Sequence, residues 1–330
     1  MSAYCNTFLS KDHSYYSDKS LLLFCQHLDD TFHLYSVSDE RFEILVRLNW
    51  PKVTLDQPGP PAYYSGFDIL GLGSVNGILC LISKTLQDMI LWNPSTEEFK
   101  VIPPNPFDSG VWEDHTEFGY DSLRNDFKVM RHMHDFQNND FNEIWEIYSV
   151  RNNSWKKLDV GMRHYPMENK QLYIVGLSHW LCKTKPDNKP YLLSFDWSNE
   201  VFLTTPSPSN VEGIFTCLVE SFLVLLNGSI ALIICYKETY TSHILILSEL
   251  GVRESWTKIF NVGRSLSYFN KWQNGGGKKG RILFDKDGDR LAWFDLNTQM
   301  VEDLDIFTED FCCFLLFHKE NLHPFEGKNL

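Results

Sequence analysis

Gly71-Leu72-Gly73-Ser74-Val75-Asn76-Gly77-Ile78-Leu79-Cys80-Leu81-Ile82, running on through Met89-Ile90-Leu91-Trp92-Asn93-Pro94-Ser95-Thr96 to Phe99-Lys100-Val101-Ile102-Pro103, is the stretch whose reading decides the fold. Gly73 to Gly77 is a turn-forming cluster. Ile78 to Ile82 is an apolar run of strand length, and Ser83 to Asp88 is a polar break. Met89 to Trp92 is a second apolar run that enters the turn Asn93 to Thr96, and Phe99 to Ile102 leads back out. Short apolar runs bounded by Gly, Asn and Pro read as strand, loop, strand, tight turn, strand.

The last part of this pattern recurs. An apolar strand, a short polar turn and an aromatic that opens the next strand stand at Phe32–Leu48 (with Phe42), Met89–Ile102 (Phe99) and Ile144–Leu158 (Trp155). They return at Tyr191–Thr204 (Phe202), His243–Phe260 (Trp256) and Arg290–Leu304, where Val301 replaces the aromatic. The opening residues are spaced by about 45 to 57 positions, a propeller-like period. Most intervals also hold two earlier strands. Glu117–Asp121 and Asp126–His132 precede the Trp155 copy, and Gln171–Gly176 and Leu177–Thr184 precede the Phe202 copy. Ile214–Val219 and Phe222–Tyr236 precede the Trp256 copy, the latter broken by Asn227-Gly228. One unit is therefore four strands, a-b-c-d.

The expected fold is all-β: a single propeller of about six four-stranded blades. The first unit lacks a strand a, and a spare apolar strand, Phe311–His318, follows the last unit. That strand is expected to complete the first blade and close the ring, leaving no long unpaired edge. A short segment, 1–20, precedes the propeller domain, 21–330. A β-sandwich or a pair of small β domains is the alternative. The regular spacing and the lack of a Pro/Gly/Ser-rich linker favour one propeller.

Composition bounds the function. The 330 residues are 43% hydrophobic and 15% aromatic, enough for a sizeable core, and the net charge is −13. An acidic balance argues against a general nucleic-acid binder. Most of the eight cysteines sit in apolar runs and form no C-x-x-C pair, which fits a reducing compartment, cytoplasm or nucleus. No secretory signal and no membrane span is expected.

Several patterns look like chemistry and fail on context. Gly71, Gly73 and Gly77 approximate a dinucleotide fingerprint with the wrong spacing and no βαβ unit around it. Asp285 to Asp289 resembles the start of a calcium loop, but its Gly is misplaced and no Glu stands at the twelfth position. His132 and His134 share a strand face near His115, where packed histidines are a simpler reading than a metal site. No cofactor, metal or catalytic group is expected, and a hydrolase or lyase is the minor alternative.

The motifs resemble those of a known family. Gly73–Cys80 with Leu91–Pro103 is similar to the "GSCNGLLCL … LWNPSTREFKxLP" segment of plant F-box-associated proteins, among them kelch-like and pollen S-locus F-box proteins. Phe118-Gly119-Tyr120-Asp121 with Asn125–Val129 resembles their "FGYDxxxNDYKVVR". Ile147–Lys156, Gly176–Leu181, Leu193–Phe202 and Leu250–Lys258 match further motifs in order. The resemblance implies a substrate-recruiting subunit of a Skp–cullin–F-box ubiquitin ligase, which binds a target protein. No F-box is visible ahead of the first strand, so Skp adaptor and cullin are expected only if an F-box is supplied elsewhere. The alternative is a truncated F-box-like protein that binds its partner without ligase activity. The acidic charge suits a basic target, and the pollen members of the family face secreted ribonucleases.

Strand parity limits where a target would bind. The a-b and c-d turns share one face of a propeller, and the b-c and d-a connections share the other. The c-d turns are short, whereas the b-c and d-a connections are long and varied, and variable loops on a rigid scaffold carry recognition. Trp112, His115, His134, Phe136, His164, Tyr165, Tyr240 and Trp272 are placed in those loops as candidate partner-binding residues.

Overall fold

Six radially arranged antiparallel sheets form the molecule, seen in a computed structural model. It describes residues 19–27, 32–37, 45–51, 67–71, 73–83, 89–104, 111–135, 142–160, 171–184, 189–208, 219–239, 241–263, 280–286, 290–307 and 311–322. Blade 1 holds β1 (Lys19–His27), β2 (Phe32–Val37) and β3 (Leu45–Leu48). Blade 2 holds β4 (Phe67–Ile69), β5 (Leu79–Ser83), β6 (Met89–Trp92) and β7 (Phe99–Val101). Blade 3 is β8 (Val111–Asp121), β9 (Asp126–Asp135), β10 (Asn142–Ser149) and β11 (Ser154–Leu158). Blade 4 is β12 (Leu172–Ile174), β13 (Leu177–Lys183), β14 (Pro190–Asp196) and β15 (Val201–Pro206). Blade 5 is β16 (Val219–Leu226), β17 (Ser229–Tyr236), β18 (Thr241–Leu247) and β19 (Trp256–Val262). Blade 6 shows β20 (Arg281–Lys286), β21 (Arg290–Asp295) and β22 (Val301–Phe307), its strands b, c and d.

The last strand, β23 (Phe311–Lys319), belongs to blade 1. It pairs antiparallel with β1 from Lys19↔Lys319 to His27↔Phe311, giving the order β23-β1-β2-β3. The chain therefore closes its own ring through a blade built from both ends. The expected closure is present.

Period-2 alternation holds the blades together. On β1, Leu22 and Phe24 pack with Leu79, Leu81, Ile90 and Trp92 of blade 2. The intervening Leu21, Leu23 and Cys25 pack with Leu283, Leu291 and Trp293 of blade 6. Successive side chains of a strand point to opposite faces, so each blade supplies one apolar set to each neighbour. The interior strands accordingly read as nearly continuous apolar runs. β6 is buried at all four positions.

The recurrent polar turn has a local cause. Asn93 Oδ1 accepts the Ser95 N–H, Asp196 Oδ1 those of Ser198 and Asn199, and Asp295 Oδ1 those of Asn297 and Thr298. An Asn or Asp that bonds the backbone two or three residues on initiates such turns. The aromatic that opens strand d has a role beyond packing. Trp155 Nε1 donates to Pro103 O of blade 2 at 2.9 Å, and Trp256 Nε1 donates to Pro206 O of blade 4 at 3.1 Å. The same stitch thus joins blade 3 to blade 2 and blade 5 to blade 4.

Strand boundaries in blades 5, 3 and 1 differ from the sequence reading. Phe222–Leu226 belongs to strand a of blade 5, not strand b, because Asn227-Gly228 is the a-b turn that joins β16 to β17. The sequence reading places the break at Asn227-Gly228 correctly but counts Ile214–Val219 as strand a, so both halves of Phe222–Tyr236 are assigned to strand b. Strands a and b of blade 3 also run further than expected, to Val111 and Asp135. Strand d of blade 1 begins at Leu45, and Phe42 lies outside the described residues.

Candidate binding faces and the junction of blades 3 and 4

The eight candidate residues divide in two. Trp112 and His115 stand in β8 and His134 in β9, so these three are strand residues and not loop residues as expected. The cause is the longer ladder: Trp112 pairs in register with His134, and His115 with His132. This ladder carries the two strands towards the b-c/d-a face, here called the loop face. Phe136, His164, Tyr165, Tyr240 and Trp272 lie outside the described residues. His132 is buried and its ring stacks on Trp145 at 4.4 Å, a packing role. Among the described residues no three His, Cys, Asp or Glu side chains converge to hold a metal. Of the calcium-like Asp285–Asp289, residues 287–289 lie outside the described residues, and Lys286 of β20 pairs with Arg290 of β21.

The opposite face, formed by the a-b and c-d turns, is well defined and is called the turn face. Two of its features surround the motif at Gly73–Gly77. Gly73 bridges Phe317 of β23, and a Cβ there would lie 2.5 Å from Phe317 O. Gly77, at φ +83°, lies under Asn321, whose Nδ2 donates to Asn76 O and whose O accepts from Asn93 Nδ2. Gly73 and Gly77 of the pseudo-fingerprint therefore seat the closing strand. Only glycine allows that approach.

The junction of blades 3 and 4 carries the charge. Lys128 Nζ lies 2.7 Å from Asp121 Oδ2, 2.9 Å from Glu200 Oε1 and 3.1 Å from Trp197 O. Lys156 bonds the other oxygen of Glu200 at 2.6 Å, and Arg124 reaches Ser198 O at 2.6 Å. Burial works to raise the Asp121 carboxyl, but hydrogen bonds from Lys128 and Arg124 outweigh it and hold the group at about 2. The exposed Lys156–Glu200 pair contributes at most about 1 kcal/mol. Removing Lys128 would leave the buried Asp121 charge with Arg124 as its remaining cationic partner, a loss of at most about 3–5 kcal/mol. Beneath this cluster the Trp197 indole lies flat against Gly119, where a Cβ would meet ring atoms 2.0 Å away. Trp197 Nε1 donates to Ser178 Oγ at 2.7 Å. The glycine of the Phe118–Asp121 motif is thus a packing requirement.

Deeper on the same junction, Trp180 Nε1 donates to Glu117 Oε1 at 2.6 Å. Burial pushes the Glu117 carboxyl up to about 8, only partly countered by that bond. His179 is driven down to about 3 by burial, with Nδ1 2.8 Å from Ser194 Oγ. Cys182 is pushed up to about 12 by burial. The Trp180–Glu117 bond joins blade 4 to blade 3, whereas His179 and Ser194 lie on adjacent strands of blade 4.

Exposed apolar side chains mark the turn face too. Leu123 (72% exposed) and Val175 (79%) occupy a-b turns of blades 3 and 4, Met300 (68%) a c-d turn, and Leu322 (76%) follows β23. Val175 stands at φ +45° before Gly176 at φ +81°. A β-branched residue in the left-handed region is an outlier, costing about 1–2 kcal/mol. Neither Leu123 nor Val175 was singled out in the sequence. Aligning the turn Val175-Gly176 with Asn76-Gly77 and Asn227-Gly228 of other units would have exposed the second.

The family model described as "F-box associated beta propeller domain" matches residues 51–320. F-box protein CPR1 of Arabidopsis thaliana is 26% identical over 264 residues, covering 71% of this chain and 63% of that protein. An F-box/kelch-repeat protein of the same plant is 26% identical over 172 residues, covering 45% of this chain and 43% of that protein. The chain thus spans less than two thirds of the length of either relative. Among solved structures, an oligogalacturonate lyase in complex with manganese aligns with a TM-score of 0.48 at 9% identity, covering 86% of this chain and 73% of that one. No helix among the described residues is long and apolar enough to cross a membrane.

Proposed function

The chain belongs to the F-box associated beta propeller family, and from that premise we propose that it is a non-catalytic protein-interaction module that recruits a target protein. In this reading it serves a Skp–cullin–F-box ubiquitin ligase when an F-box is joined to it, in the cytoplasm or nucleus. The observation that carries the proposal is the family match across most of a closed six-blade ring. A rigid ring with short turns on one face and long connections on the other is a platform for loops, and loops on such platforms carry recognition. The target meets the loop face, where Trp112, His115 and His134 reach the end of the long β8–β9 ladder and Phe136, His164, Tyr165, Tyr240 and Trp272 supply further anchors. The net charge of −13 favours a basic target and speeds its approach.

Affinity capture with the tagged chain, followed by mass spectrometry and immunoblotting for Skp adaptor and cullin, tests this. The expected result is a target captured by the chain alone, with adaptor and cullin recovered only when an F-box is fused to its N-terminus. Adaptor and cullin recovered with the unfused chain would overturn the claim that the F-box must be supplied. An unchanged target yield from a Trp112→Ala, Trp272→Ala double variant would overturn the placement on the loop face. A fused chain that captures its target without ever recruiting cullin would instead support a binder without ligase activity.

A further inference from the structure

Three observations converge on the turn face over blades 3 and 4. The first is Val175. Two-residue a-b turns with both residues at positive φ occur at Asn76-Gly77 (49° and 83°), Asn227-Gly228 (46° and 74°) and Val175-Gly176 (45° and 81°). Asn and Gly are the residues such turns favour. Val is the residue they resist, and nothing buries it in return, since the side chain is 79% exposed. A strained residue kept without a packing reward points to a role outside the fold.

The second observation is clustering. Trp197 N–H bonds Gly176 O at 3.2 Å, and Gly176 lies against Tyr120 O. Arg124 bonds Ser198 O. The turns Asp121–Asn125, Val175-Gly176 and Trp197–Glu200 are therefore linked to one another, and Leu123, Val175 and, at the start of β15, Val201 are the exposed apolar side chains beside them.

The third is the direction of the charges. The carboxylates of these turns are buried or engaged: Asp121 and Asp126 are buried, Glu200 is held by Lys128 and Lys156, and the half-buried Asp196 accepts from Ser198 N–H, Asn199 N–H and Asn199 Nδ2. The cations face outward, with Arg124 and Lys156 each 59% exposed and Arg151 exposed, bonded through its guanidinium to Arg124 O. Arg124 and Lys156 also pair with Asp121 and Glu200, so the cluster as a whole is balanced, but its outermost charged groups are cations and stand among exposed apolar side chains.

We propose that the turn face of blades 3 and 4 is a second docking surface, which binds an acidic segment of a partner protein carrying apolar side chains. The acidic groups meet Arg124, Arg151 and Lys156, and the apolar side chains cover Leu123, Val175 and Val201. This site lies on the opposite side of the ring from the loop face and does not depend on the target bound there.

A fluorescein-labelled peptide of alternating Glu/Asp and Leu/Phe residues, titrated with the full chain and followed by anisotropy, tests the proposal. Two control peptides carry Lys in place of the acids, or Ser in place of the apolar residues. The acidic apolar peptide is expected to bind saturably, and both controls at least about tenfold more weakly, a difference of about 1.4 kcal/mol. Raised salt should weaken the binding. Arg151→Glu should reduce affinity by about tenfold with little change in melting midpoint. Val175→Asn should reduce affinity while raising the melting midpoint, a combination that a purely structural role would not produce. A Trp112→Ala variant should bind the peptide as the parent does. Lack of saturation by the acidic peptide, equal binding of the Lys peptide, or parental affinity in both Arg151→Glu and Val175→Asn would overturn the proposal. A lowered melting midpoint in Val175→Asn would overturn its premise of strain.

Discussion

Glu117 is the residue where burial most changes the chemistry. Its carboxyl titrates near 4.5 in the unfolded chain and near 8 in the fold, because burial against Trp180 penalises the charged form. Between those values the folded state holds a proton that the unfolded state has released. The stability from this group is therefore complete below about pH 4.5 and is lost as pH rises towards 8, at up to about 1.4 kcal/mol per pH unit. Glu117→Gln keeps an acceptor for the indole N–H and has no proton to lose. Urea denaturation at about pH 5 and about pH 8.5 should show the parent losing stability relative to Glu117→Gln as pH rises. Parallel pH profiles would show that Glu117 is charged in the fold. None of this was legible in the sequence, because Glu117 is an ordinary residue in an ordinary strand until blade 4 covers it. Val175 was hidden differently: its exposure and φ follow from the turn register, which only alignment of the units displays.

At the scale of elements, the c-d hairpins were the most legible part of the chain. Their apolar runs are local, their Asn or Asp turn starters bond within two or three residues, and no distant contact is needed to define them. The a strands were the least legible. They range from three residues in β4 and β12 to eleven in β8, so no uniform pattern marks them, and Phe222–Leu226 of β16, although set off by the Asn227-Gly228 turn, was counted with strand b. The aromatic that opens strand d was legible as a repeat but not as a bond. Its meaning is the stitch from Trp155 to Pro103 O, reinforced by the Arg131 guanidinium 4.1 Å above the Trp155 ring. Phe99 and Phe202 fill the same position in blades 2 and 4 without a donor, so Trp155→Phe tests the bond while keeping the aromatic. The variant should lose about 1–2 kcal/mol, the sum of one hydrogen bond and a weaker cation–π contact. Chemical denaturation measures it, and a loss under about 0.3 kcal/mol would show that the stitch only accompanies the packing.

For the whole molecule, the decisive event is ring closure, and among the described residues it rests on non-covalent contacts. β23 is held by its ladder to β1 and by the seat around Gly73, Asn76, Gly77 and Asn93. The stretch that identified the repeat is therefore also where the two ends of the chain are joined. Chain ends brought together across the whole sequence face a large loop-closure entropy, so the seat must be strong enough to offset it. A chain ending at residue 307 lacks β23 and leaves the apolar edge of β1, Leu21 to Cys25, without its partner strand. Such an edge templates pairing with another copy. The truncated chain should self-associate in size-exclusion chromatography, and a synthetic peptide of residues 311–322 should restore a monomer with a cooperative thermal transition. Gly73→Ala in the intact chain should weaken the same seat, because its Cβ would press on Phe317 O. Amide exchange across Leu21–Gln26 and Phe311–Lys319 should then accelerate together while the c-d hairpins of blades 3 to 5 stay protected. A truncated chain that remains monomeric with the parent's melting midpoint would show that packing between blades, not the shared blade, holds the ring closed.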